Sequence, residues 1–125
     1  MIAPPIKHVR IEEGRSQGGN PRSRTWKGPA VIHFIGSFDE PDNYSDVYAK
    51  EVKFYCKVMN TSDGFKFSHE SKGCKNPCVK RRQLGQDPNI NGTVTFTITF
   101  NNPGIYDILI GNNPDVGYIV GVTIT

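Results

Sequence analysis

The sequence predicts an all-β domain, a two-sheet antiparallel sandwich of about seven strands, and three observations lead there. In GTVTFTITF (Gly92 to Phe100) threonine alternates with large apolar residues, so Val94, Phe96, Ile98 and Phe100 share one face and Thr93, Thr95, Thr97 and Thr99 the other; a period of two marks a strand with one buried and one wet face. Thirteen glycines and nine prolines punctuate the chain, which favours short strands joined by turns over long helices. The 125 residues suit one domain that buries roughly two-thirds of its extended surface, so ordinary apolar side chains can supply the core.

The elements follow in order. Ile6 to Glu12 is expected as a first strand with broken alternation. Residues 13–28 include the run EGRSQGGNPRSRTWKG, which has no periodicity and reads as a long loop or strap. PAVIHFI (Pro29 to Ile35) is apolar nearly throughout, as a strand near the middle of a sheet would be. GSFDEPDNYSD collects residues that each support a bend. Val47 to Met59 then alternates, which directs Val52, Phe54, Cys56 and Val58 inward and Lys53, Tyr55, Lys57 and Met59 outward. After the turn NTSDG, GFKFSH is a short strand. Residues 69–91 read as a second, basic long loop, with one helical turn around Val79 to Leu84. Ile105 to Ile110 and Tyr118 to Thr125 complete the strands.

The formal net charge of +3 hides an alternation of basic (1–30, 64–90) and acidic (31–63, 91–125) segments. No apolar run is long enough to cross a bilayer, and MIAPPIKHVR lacks the apolar stretch of a secretory signal. GYIVGVTIT still has strand character where the chain ends, as in one module of a larger protein. Three cysteines, Cys56, Cys74 and Cys78, cannot all pair within one chain; a disulfide between two of them and three reduced thiols are the alternatives. Asn43-Tyr-Ser, Asn60-Thr-Ser and Asn91-Gly-Thr match the glycosylation acceptor pattern and point to the cell exterior or cell surface, with the cytoplasm as the alternative.

Candidate chemistry is confined to a few loops. Asp39, Glu40, Asp42 and Asp46 crowd one turn and offer the oxygens that calcium takes, in an order unlike an EF-hand. His69 with Cys74, Cys78 and Cys56 offers a tetrahedral donor set whose spacing fits no common zinc knuckle, so no metal and no cofactor is expected. Arg22, Arg24 and Lys27 around Trp26, with Lys72, Lys75, Lys80, Arg81 and Arg82, could hold a polyanion by counterion release. Trp26 would be the stacking platform beside those charges. A sulfated glycan fits this set better than nucleic acid does. His8, His33 and His69 are scattered, and no nucleophile elbow, zincin motif or phosphate loop is present, so no catalytic activity is expected.

Pro103-Gly104-Ile105-Tyr106-Asp107-Ile108, between two strands, resembles the corner before strand F of immunoglobulin-like sandwiches. The stretch from Gly92 to Thr125 is similar to the end of filamin-type early-set repeats and of polycystic-kidney-disease-type repeats. The resemblance implies that Tyr106 hydrogen-bonds back to the corner and that Ile108 is the core position of strand F. Ile108 stands where antibody-type domains carry cysteine, Trp26 precedes the first central strand, and Asn112 to Gly117 lacks the filamin Gly-Ser-Pro-Phe-like element. Together these readings lead to a non-catalytic binding or adhesion module that recognises a protein partner through loops or a strand edge. A cytosolic filamin-like repeat that docks partner strands by β-augmentation and a polyanion binder are the alternatives.

Overall fold

The computed structural model describes residues 5–39, 54–60, 66–68, 78–81 and 91–125, with side chains described for all of these except 66–68, 78–81 and Asn91. Ten strands form, and no helix occurs among the described residues. They are β1 (His8–Arg15), β2 (Gly19–Asn20), β3 (Thr25–Trp26), β4 (Ala30–Asp39), β5 (Tyr55–Asn60), β6 (Lys66–Ser68), β7 (Cys78–Arg81), β8 (Asn91–Phe100), β9 (Gly104–Gly111) and β10 (Tyr118–Ile124). One sheet has the order β1-β4-β8-β7 and the other β2-β3-β10-β9-β5-β6. Pairing is antiparallel except where β3 runs parallel to β10.

Period-two patterning places the core. In the first sheet Ile32 lies opposite Ile98 and Phe34 opposite Phe96; in the second, Ile108 lies between Val58 and Val120. These side chains, with Val9, Phe38, Cys56, Phe100 and Ile110, form one buried cluster to which both sheets contribute. Aromatic pairs cross the interior: Phe100 and Tyr106 have ring centroids 4.8 Å apart, and Phe38 and Phe54 4.9 Å. Offset and tilted ring pairs of this kind stabilise beyond the area they bury. Gly36 faces inward between Val9 and Val94. A Cβ there would lie 3.1 Å from Ile6 and 3.4 Å from Ile110 of the opposite sheet, so its small size lets the sheets close.

The outward faces alternate with this core. Thr93, Thr95 and Thr97 are half-buried and Thr99 exposed, and the Nδ1 of His33 is 2.9 Å from the Thr97 hydroxyl. Tyr55, Lys57 and Met59 face out while Phe54, Cys56 and Val58 are buried, as their alternation requires.

Two expectations change. Residues 13–28 are not a long loop: they contain the end of β1 and the β2–β3 hairpin. The physical reason is Trp26, whose indole is 1% exposed; an aromatic of that size repays the ordering of a polar strap that has no periodicity of its own. Val79 to Arg81, expected at the start of a helical turn around Val79 to Leu84 within the loop 69–91, instead belong to strand β7 paired with β8. With β2, β3 and β7 added, the described residues form ten strands, where about seven were expected. The remainder of 69–91 before Asn91, and Val47 to Lys53, lie outside the described residues.

Candidate functional site

Three places bring chemistry-bearing residues together, beginning with the corner at Tyr106. The Tyr106 hydroxyl donates to the carbonyl of Asn102 at 2.7 Å, and the ring packs on Phe100. Pro103-Gly104 turns the chain between β8 and β9 so that the ring enters the core while its hydroxyl reaches the corner backbone. A buried tyrosine needs such a partner for its polar end. This arrangement holds the edge of the fold and offers no reactive group.

The second place is the outer face of the second sheet. Ile105, Asp107 and Leu109 of β9 point outward, opposite Thr123, Gly121 and Ile119 of β10. Met59 and Lys57 of β5 flank the same row. Ile105 is 52% exposed, Ile119 57%, and Val116, in the turn joining β9 to β10, 65%. Gly121 leaves the middle of β10 without a side chain, and a Cβ there would lie 3.2 Å from the Asp107 carboxylate. The result is a mixed face, with Ile105 and Thr123 at one end, Leu109 and Ile119 at the other and the Asp107 carboxylate beside Gly121 between them. The turn beside it is held in place: Lys57 Nζ lies 2.8 Å from Asp115, and the Asp115 amide donates to the Asn113 side chain at 2.9 Å.

The third place is the β2–β3 hairpin. Arg22 and Arg24 lie in its turn and Lys27 at its base, all exposed. Trp26 between them is buried and packed beneath Gly19, so the expectation of a stacking platform is corrected: the indole faces the core and cannot receive a base or sugar ring. The sequence signal was an aromatic among cations, and it did not distinguish an anchor from a platform.

The other predicted residues are placed as follows. Asp39, of the proposed calcium set, lies 2.8 Å from Lys7 Nζ; Glu40, Asp42 and Asp46 lie outside the described residues, as do Asn43, His69, Lys72, Cys74, Lys75 and Arg82. Lys80 and Arg81 are in β7, opposite Thr93 and Gly92, and Cys78 opens that strand opposite Thr95. Cys56 is buried in the core opposite Ile110. Asn60 ends β5 opposite Tyr106 and is half-buried, and Asn91 begins β8 opposite Asp39. Among the described residues no three of His, Cys, Asp and Glu are grouped as metal ligands, and no helix is long and apolar enough to cross a membrane.

The fold and these surfaces stand without a named relative: no protein-family model matches the chain, and neither the curated proteins nor the solved structures give a significant match.

Proposed function

We propose that the chain is an immunoglobulin-like, non-catalytic protein-binding module that works outside the cell or at its surface. The observation that carries the binding role is the apolar outer face of β9 and β10, where Ile105 and Ile119 each keep more than half of their surface in water. Exposed apolar side chains on one sheet face are the kind of surface that a protein partner covers. The immunoglobulin-like reading draws support from the strand orders. If β1, β4, β8 and β7 stand for strands A, B, E and D, and β10, β9 and β5 for G, F and C, the orders are compatible with that topology, with β2, β3 and β6 as additions to the second sheet. The Tyr106 bond to the Asn102 carbonyl, four residues upstream, is similar to the tyrosine corner of such domains and supports the same reading.

The extracellular reading rests on the three sequons and on a proposed disulfide from Cys56, since disulfides persist in oxidising compartments. Cys74 and Cys78 are the two candidates for the other half of the bridge. β-augmentation on a sheet edge is the alternative, with β1, β7, β2 and β6 as the edge strands; docking on the sheet face is preferred for the exposure of Ile105 and Ile119.

The test has two parts. A multimerised form of the secreted protein, displayed against a panel of cell-surface ectodomains, should bind a partner that the Ile105→Ser/Ile119→Ser variant no longer holds; a partner retained in full by that variant overturns the face assignment. Thiol counting in denatured native protein should find one free thiol per chain. Three free thiols would remove the extracellular reading.

A further inference from the structure

We infer that the β2–β3 hairpin is a binding site for a sulfated glycan chain, separate from the apolar face of β9 and β10. From Gly14 to Phe38 the sequence carries Arg15, Arg22, Arg24 and Lys27 and no acidic residue. All four side chains are exposed. Among the residues whose side chains are described, the other three cations each have a carboxylate: Lys7 has Asp39, Arg10 has Glu12 and Lys57 has Asp115. The hairpin cations have none. Arg22, Arg24 and Lys27 on the hairpin, with Arg15 at the end of β1, have no counter-charge among the described side chains, an arrangement that an external anion relieves.

The hairpin holds those charges in a fixed frame. The Lys27 amide donates to the Gly18 carbonyl at 2.7 Å, and that of Gln17 to the Lys27 carbonyl at 3.3 Å. In the turn, the Asn20 side chain accepts from the Arg22 amide at 3.0 Å. The inner edge is tied to β10, where Thr123 donates to the Arg24 carbonyl at 2.9 Å and Thr125 to that of Trp26 at 3.0 Å. Trp26 locks the whole into the core. Arg22 and Arg24 lie in the turn and Lys27 at the base of this tied hairpin, so a chain of repeated sulfates can be met at several points without ordering a loop first.

The chemistry selects the class of anion. Sulfate esters need only guanidinium, ammonium and amide donors, which the hairpin supplies. Single-stranded nucleic acid is held through base stacking as well as charge, and the one aromatic of the hairpin is buried. Duplex DNA admits a free two-stranded ribbon into its major groove, whereas β3 is paired with β10 along its other edge.

The experiment measures binding of the full chain to a size-defined heparin oligosaccharide across a range of sodium chloride, with an oligothymidylate of equal charge as the second probe. Arg22→Ser/Arg24→Ser/Lys27→Ser should weaken heparin binding on the order of 100-fold near physiological salt and lower the log-log salt slope by about 2 to 3, as expected for three lost ion contacts. Lys7→Ser/Arg10→Ser/Lys57→Ser removes the same formal charge from paired positions and should stay within a few-fold of the parent. Unchanged Trp26 emission shows that the hairpin variant keeps its fold, and Ile105→Ser/Ile119→Ser should bind heparin as the parent does. No heparin binding by the parent, or equal losses in the two triple variants, overturns the site. Oligothymidylate binding as tight as heparin, with the same loss in the hairpin variant, overturns the glycan assignment.

Discussion

Replacing Tyr106 by phenylalanine removes one oxygen and leaves the ring where it is, so it isolates the bond from the Tyr106 hydroxyl to the Asn102 carbonyl. Asn102 is exposed, so water can take over its carbonyl when the hydroxyl is gone. The cost is therefore the net value of one neutral hydrogen bond, about 1 kcal/mol, without the added penalty of an orphaned buried acceptor. A chain of 125 residues unfolds with an entropy of about 0.26 kcal/mol/K near its midpoint, on the per-residue average of about 2.1 cal/mol/K. A loss of about 1 kcal/mol then lowers Tm by about 4 °C. Calorimetry and urea unfolding should agree on this value with the m-value unchanged. Tyr106→Ala also removes the ring that packs on Phe100 and should cost about 3 to 5 kcal/mol. A Tyr106→Phe variant within about 1 °C of the parent would refute the claim that the bond contributes stability. A loss near that of alanine would refute the claim that the ring stays in place.

Further predictions concern other parts of the fold. Ile108→Ala, at a fully buried position between two strands, should cost about 2 to 5 kcal/mol in urea unfolding. Gly111→Ala places a Cβ 2.2 Å from the Val116 carbonyl; the turn between β9 and β10 must shift, at a cost of about 1 to 3 kcal/mol, seen as a lower urea midpoint. Asp115→Asn breaks the pair with Lys57 at a carboxylate that is mostly exposed and should change stability by less than about 1 kcal/mol, with the difference shrinking as salt is added. Reducing the bridge proposed at Cys56 should lower stability by about 2 to 4 kcal/mol, measured by unfolding with and without reductant.

The parts of the fold that could be read from the chain are those where local pattern and tertiary burial agree. Val94 to Phe100 alternates in sequence because β8 has neighbours on both sides and a core on one face, so period two is the whole instruction. β5 follows the same logic, whereas β4, β9 and β10 contain apolar runs that mark them as strands without marking which members face outward. β7 was not legible because its four residues, Cys78 to Arg81, include two cations and only one large apolar residue. Its strand state depends on the ladder to β8, a non-local contact that a window of sequence does not contain. The Ile105 and Ile119 surface was equally hidden. Each residue is part of an apolar run that suits a buried strand, and only the register between β9 and β10 shows which members face outward.

Trp26 carries the same argument into the site. An isolated tryptophan amid arginines, lysine and glycines looks like a ligand platform, because sequence shows its neighbours along the chain and not those across it. Its neighbours across the chain are Gly19 and Ile124, and the absence of a side chain at Gly19 lets the indole lie against that strand: a Cβ there would fall 2.3 Å from the ring. The glycines that made 13–28 look unstructured are thus part of what orders it. Burial of the indole also explains why the cations stay outside. With Trp26 directed inward, strand alternation directs Thr25 and Lys27 outward, and the turn that closes the hairpin carries Arg22 and Arg24 beyond the sheet. The residue that appeared to bind a ligand is the one that sets the direction of the residues able to do so.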